Sequence, residues 1–190
     1  MPARAVRPHQ RSTASRERIM RAVHELLAEG TFHESTVEEV AERAGLSRAT
    51  LYQHFGSRLE LVDGICDWLA DNPALLEIRK SVALPDPAAA LAQTIANSVR
   101  FWSSEDAILS QLYGVVAIDP AARAFVERQR ADRRGEIRRL ADHLGAGDAG
   151  FALLMVLTSY ETFGELRRAG LDDAAITARL QDAARTLLRA

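Results

Sequence analysis

The stretch Thr36–Arg58, TVEEVAERAGLSRATLYQHFGSR, leaves little freedom in how it folds. Thr36 followed three residues later by Glu39 is a capping box: the hydroxyl accepts from the Glu39 N–H, and the carboxylate reaches back to the Thr36 N–H. Val37, Val40, Ala41 and Ala44 then recur at helical spacing and give a small apolar face. Gly45 supplies the left-handed residue that ends this helix. Leu46 plugs the corner and Ser47 caps a second helix. Leu51 and Phe55, four apart, pin that helix inward, leaving Arg48, Ala49, Thr50, Tyr52, Gln53 and His54 at or near its outer side. Two short helices joined by a tight turn are the layout of a helix-turn-helix, whose second helix reads base edges from the major groove.

Any pair of antiparallel helices can carry a capping box and a glycine turn. The exposed face separates the two readings. A solvated helix face is usually filled with Glu and Lys. From Arg48 to Phe55 there is no acidic residue, and Arg, Thr, Tyr, Gln and His are groups that donate to phosphates or bases.

The run GLSRATLYQHFGSRLEL resembles the DNA-binding signature of TetR-type (tetracycline-repressor-like) transcriptional regulators. The pattern is Gly, an apolar residue, Ser, two variable residues, Thr-Leu-Tyr, a variable residue, His-Phe, then a Ser-basic pair opening the next helix. The chain departs from it at Arg58, where the family more often has Lys; either cation can meet a phosphate. The resemblance covers roughly the first third of the chain. It implies an all-α fold: a three-helix helix-turn-helix bundle with its arm over residues 1–57, and a larger helical ligand-binding and dimerisation body over residues 58–190. It also implies a sequence-specific regulator, a repressor released from its operator by a small-molecule ligand. Position on the second helix, together with the motif, assigns Thr36, Thr50, Tyr52, His54 and Arg58 to phosphates and Arg48, Ala49 and Gln53 to base edges. Arg48 suits guanine, to which it can offer two donors.

Of the 190 residues, 47% are apolar and 26% charged, an ordinary soluble composition. The net charge of −2 means that a DNA binder of this balance must segregate its charge. It does so at the start: Arg4, Arg7, Arg11, Arg16, Arg18 and Arg21 are accompanied by one acid, Glu17. Met1–Arg11 is polar, with two prolines, and reads as an arm. With Arg11 and Arg16 as DNA contacts, the segment from Arg4 to Arg16 is expected to order on the duplex. The single Cys66 excludes an intrachain disulfide and a Cys-rich zinc site. No apolar run approaches the roughly 20 residues needed to span a bilayer. The amino terminus lacks the apolar core of a signal peptide. A cytoplasmic protein without a membrane partner is expected.

The periodicity predicts helices and no strand, and the resemblance implies that the helices number about nine. A first helix spans about Ser15 to Glu29, with Ile19, Val23, Leu26 and Leu27 inside and Gly30 at its end. Ser57 with Glu60 starts a fourth helix, and Asn72-Pro73 marks that helix's end. Asp86-Pro87 and Asp119-Pro120 each read as a cap followed by proline at the first helical position. Between them lie helices over about Pro87–Ser103 and Glu105–Val116, and Asp119-Pro120 opens a long one to about Leu144. Asp148 caps an apolar helix to Arg168, Gly170 breaks it, and Asp172 opens the last.

Enzyme chemistry finds no support, and no cofactor or metal is expected. His9, His24, His33, His54 and His143 are scattered without metal-ligand spacing. There is no glycine-rich phosphate loop and no nucleophile elbow. The basic segment Arg123–Arg139 is interleaved with Glu127, Asp132 and Glu136 at helical pairing distances, so it reads as a solvated, ion-paired face.

Trp68, Trp102, Tyr113, Phe125 and Tyr160 are large side chains on helices that also carry Asn97, Gln111 and Thr158. Ordinary packing accounts for such a set. The resemblance favours an inducer cavity lined by them, since TetR-like proteins hold their ligand between the helices after the DNA-binding bundle. The segment Phe151–Phe163 is apolar on more than one face, and Ala152, Ser159 and Gly164 are small. A homodimer through the last two helices is therefore expected, with two readers about one duplex turn (~34 Å) apart. The partners implied are operator DNA, a small-molecule inducer and a second copy of the chain. The competing reading is an all-α binding protein whose helix-turn-helix is not used for DNA.

Overall fold

The computed structural model of the chain describes residues 8–118 and 120–188, excluding the side chains of residues 8–11, 116–118, 120–126, 128 and 129. The described residues form eleven helices and no strand. Their contacts divide into two units: residues 1–69 with 107–126, and residues 70–106 with 127–190.

The first unit begins with α1 (Pro8–Ala28). Ile19, Met20, Val23, Leu26 and Leu27 form its buried stripe. Gly30, at φ +73°, closes it, and the Thr31 N–H reaches the Leu26 carbonyl. The helix starts earlier than its apolar stripe implied. Proline at a first helical position is preset for the helix, and His9–Arg18 contains no residue that would break it. Arg11 and Arg16 therefore stand on a helix rather than on an arm that orders only with DNA. Residues 1–7 lie outside the described residues, as does the Arg11 side chain.

Next come α2 (Val37–Arg43), α3 (Arg48–His54) and α4 (Arg58–Ala70). Helix α1 packs on α2 and α3. Helix α7 (Asp106–Ile118) lies, from Ala107 onward, in this unit.

The second unit contains α5 (Pro73–Val82), α6 (Pro87–Ser104), α8 (Pro120–His143, from Glu127 onward), α9 (Gly147–Leu157), α10 (Tyr160–Arg168) and α11 (Asp173–Leu187). Ile95, Val99, Ile137, Leu140, Leu154, Phe163, Ile176 and Leu180 form its core. Asp86 accepts from the Ala88 and Ala89 N–H groups, and Asp172 accepts from Ala175, so these two acidic caps act as the sequence indicated, while Asp119 lies outside the described residues.

Two features differ from the sequence reading. Asn72-Pro73 opens a helix as well as following one: the Asn72 Oδ1 accepts from the Ala74 N–H and Pro73 is the first residue of α5. The apolar segment from Asp148 to Arg168 is two helices, not one. Thr158 ends α9, and Ser159, extended at ψ 155°, caps α10 by accepting from the Thr162 N–H. Asp148 makes no cap; it pairs with Arg138 at 2.9 Å.

The break leaves carbonyls at the end of α9 without helical partners, and side chains satisfy them. The Trp102 indole N–H donates to the Thr158 carbonyl at 3.1 Å. Arg133 donates to the Met155 carbonyl at 2.7 Å and to Thr158 Oγ1 at 2.8 Å. Arg133 thus turns inward from a helix face that otherwise carries ion pairs such as Arg130–Glu127 and Arg139–Glu136.

Candidate nucleic-acid interface

Two caps hold the helix-turn-helix. Thr36 Oγ1 accepts from the Glu39 N–H at 3.2 Å, and Glu39 Oε2 accepts from the Thr36 N–H at 2.6 Å. The Thr36 N–H first, and then the Thr36 hydroxyl, both donating to the carboxylate, hold the Glu39 carboxyl below its ordinary pKa. Gly45, at φ +63°, makes the turn, with the Leu46 N–H bonded to the Ala41 carbonyl. Ser47 Oγ accepts from the Thr50 N–H at 3.1 Å and starts α3. Leu51 and Phe55 are buried and fix the rotation of α3.

That rotation exposes Arg48, Ala49, Tyr52 and Gln53. Arg48 with Tyr52, and Ala49 with Gln53, are each four apart and stack along the helix, and the two rows adjoin, so these four form one exposed strip. Tyr52 is 41% exposed despite its size. Thr50 and His54 are half-buried along the edge of the strip.

Several side chains assigned to DNA are already engaged within the protein. Thr50 Oγ1 lies 2.8 Å from Ser47 Oγ. Thr36 Oγ1 donates to Glu39 Oε2 at 3.0 Å. Arg48 Nη1 pairs with Glu38 Oε1 at 2.6 Å, and its guanidinium lies 5.3 Å from the centroid of the Tyr52 ring. Tyr52 first, and then Glu38, hold the Arg48 pKa above its ordinary value. Arg16 is exposed, with its guanidinium 4.7 Å from the Phe55 ring centroid.

Arg58 departs furthest from its assignment. Its guanidinium donates to the Phe32 and Ser35 carbonyls and covers the Phe32 ring. It is half-buried, and desolvation lowers its pKa. The loop between α1 and α2 presents two carbonyls without helical partners, and a guanidinium on α4 meets both while stacking on an aromatic face.

The sequence reading did not single out three interactions that hold this unit. Arg43 grips Glu29 with two bonds, 2.6 and 3.0 Å, tying α2 to α1. Arg18 donates to the Gly45 carbonyl at 2.7 Å, across the turn. Glu38 is the partner of Arg48. A capping box announces Glu39, but nothing local distinguishes Glu38 from a residue drawn to the helix dipole.

The residues assigned to a ligand divide between the units. In the first, Trp68 meets His24 edge-on at 4.9 Å and is partly exposed, while Gln111 lies near Gly30. Tyr113 is half-buried there, and the Phe125 side chain is outside the described residues. In the second, Trp102, Thr158 and Tyr160 come together. Trp102 and Tyr160 meet at 5.8 Å, and the Tyr160 hydroxyl donates to Asp106 Oδ1 at 2.6 Å. Asn97 is buried apart from them on α6, donating to the Glu77 carbonyl and accepting from Gln93.

Residues 19–65, the span of this helix-turn-helix, match the family described as bacterial regulatory proteins of the tetR family. That segment carries the resemblance to the tetR-family DNA-binding domain. The HTH-type transcriptional activator FasR of Mycolicibacterium smegmatis is 37% identical over 57 residues, 30% of this chain and 26% of that relative. Among solved structures, a transcriptional regulator from Rhodococcus sp. Rha1 superposes with a TM-score of 0.76 at 20% identity, covering 92% of this chain and 96% of the other. Salmonella enterica GusR gives 0.71 at 19% identity, covering 93% and 96%. Likeness at that identity carries the fold, and it extends well beyond the matched segment. No helix of the described residues is long and apolar enough to cross a membrane. Among the described residues no group of His, Cys, Asp or Glu could hold a metal ion.

Proposed function

We propose that the chain is a sequence-specific, double-stranded-DNA-binding transcriptional regulator acting in the cytoplasm. The observation that carries this is the exposed strip Arg48, Ala49, Tyr52 and Gln53 on a helix fixed by two caps and two buried anchors. Base edges are read by Arg48, Ala49 and Gln53, and phosphates by Tyr52, Thr50 and His54. Thr36 and Arg58 reach phosphates only by exchanging their internal partners. Arg11 and Arg16 add positive charge along α1.

Selection from a pool of randomised duplexes tests the reading. The expected result is an enriched inverted repeat whose affinity falls steeply with salt, since each phosphate neutralised by a cation adds about 0.9 to the log–log slope. No enrichment, with binding equally weak to all duplexes, would favour a helical binding protein whose helix-turn-helix is not used for DNA.

The regulator acts as a homodimer through the last two helical segments, which are α9, α10 and α11. Val156 is 59% and Leu187 45% exposed, an apolar cost that a second copy removes. Of the small residues in this region, Ala152 is exposed, whereas Ser159 caps α10 and Gly164 is covered by Arg168. Close approach therefore centres on α9 and α11. Sedimentation at micromolar concentration gives a dimer on this reading; a monomer would remove the two-half-site arrangement.

Residues 1–57 serve as the DNA-binding part and residues 58–190 as the ligand-binding and dimerisation part. A small molecule held near Trp102, Thr158 and Tyr160 releases the protein from its operator, making it a repressor. The curated relative is named an activator, so a reporter driven from the selected site decides the sign: deleting the regulator raises expression if it represses and lowers it if it activates.

A further inference from the structure

We propose that Glu38 is a positioning residue for sequence discrimination: it holds Arg48 on the base-reading strip and keeps that guanidinium from serving as a general phosphate contact. The inference rests on the DNA-binding reading above. Glu38 stands in the first turn of α2 and Arg48 opens α3, so the contact bridges the two helices of the reading unit. It is an ion pair, with Arg48 Nη1 2.6 Å from Glu38 Oε1 and the guanidinium 5.3 Å from the centroid of the Tyr52 ring.

A guanidinium carries five N–H donors in a fixed fork. Glu38 occupies one. Two suffice for the O6 and N7 acceptors of guanine, so the bridge and a bidentate base contact can coexist. A swing of Arg48 towards a phosphate instead requires leaving both the carboxylate and the ring. The exposed Glu38 carboxylate also repels phosphates of any sequence. That repulsion is the same on every duplex, whereas the restraint on Arg48 acts against non-specific DNA more than against the right base pair. A restraint of this kind raises discrimination without adding a contact to the favoured target.

Local helix chemistry offers a simpler account, because an acid at a helix start is favoured by the dipole alone. The experiment separates the two. The full-length protein, Glu38→Gln, Arg48→Ala, the double variant and Glu42→Gln as a charge control are each measured on the selected duplex. The same proteins are measured on duplexes changed at single base pairs and on random duplex. Thermal unfolding confirms that each is folded.

Glu38→Gln is expected to bind random duplex more tightly. Its preference at the base pair read by Arg48 should fall about three- to fivefold, the scale an exposed ion pair allows. In the Arg48→Ala background the same change should leave that preference unaltered, because the coupling runs through Arg48. Glu42→Gln should strengthen binding to all duplexes without moving the preference. Equal gains for Glu38→Gln on specific and random duplex would overturn the proposal and leave DNA binding intact. A gain in preference would also overturn it, showing that the bridge restrains reading rather than supporting it. A wild-type protein with no preference would overturn both readings.

Discussion

The Arg58 guanidinium lies 4.3 Å from the centroid of the buried Phe32 ring and donates to the carbonyls of Phe32 and Ser35. A cation placed by motif on the DNA side thus braces the loop that enters α2. Arg58→Ala removes a donor from the Ser35 and Phe32 carbonyls, the latter keeping the Ser35 N–H, and uncovers a ring face; it should cost about 1–3 kcal/mol of unfolding free energy. Arg58→Lys should recover part of this, since an ammonium meets one carbonyl but lacks the planar fork. Urea unfolding measures both. Unchanged stability with weakened DNA binding would return Arg58 to the phosphate role.

The helix-turn-helix was legible because its signals are local. A cap, a left-handed glycine and two anchors four residues apart fix backbone and rotation within a short stretch. Which exposed side chains remain available for DNA was not legible. Arg48 and Arg58 find partners ten or more residues away, and a motif records residue type without recording such partners.

The α9–α10 break makes a second case. It contains no Gly or Pro; Thr158 and Ser159 sit in an apolar run that keeps its helical period. What stabilises it is tertiary, namely Trp102 from α6 and Arg133 from α8. Trp102→Phe retains the ring packed between Phe101 and Tyr160 but removes the N–H from the buried Thr158 carbonyl region. A loss of about 1–3 kcal/mol is expected from chemical denaturation. A loss near zero would show that Arg133 and the Ser159 cap hold the break without the indole. Helix α5, by contrast, was readable: Asn72-Pro73 carries the same cap-then-proline signature as Asp86-Pro87, and a proline read only as an ending concealed it.

Glu39 gives the reading unit a defined acid limit. Its carboxylate accepts from Thr36, so its folded pKa lies below the unfolded value of about 4.3. A lowered carboxylate pKa means that the cap's contribution is fully present above the unfolded value and is lost as pH falls through the folded one. Wild-type protein should therefore lose stability below about pH 4 more steeply than Glu39→Gln, whose neutral amide keeps part of the cap. Thermal unfolding between pH 3 and pH 7, run on both proteins, checks the difference. Parallel curves would show that other carboxylates dominate acid unfolding.

Gly64 tests how strictly α4 sets the position of the reading helix. A methyl group there would lie 2.6 Å from Phe55 Cε1 and 3.0 Å from Met20 Sδ. Met20 can turn aside, since its thioether chain is flexible. Phe55 cannot do so cheaply: it is buried, and it is also the residue that ends α3. Gly64→Ala gains helix propensity within α4, which alone would stabilise by about 1 kcal/mol. Overpacking against a rigid ring costs about 1–3 kcal/mol and outweighs that gain. The variant should therefore unfold at lower denaturant. Because the displaced ring anchors α3, its DNA affinity should fall by more than the unfolded fraction explains. Measuring affinity well below the unfolding transition separates the two effects. Normal affinity with normal stability would show that α3 and α4 can shift together, and that Gly64 is not the contact fixing their spacing.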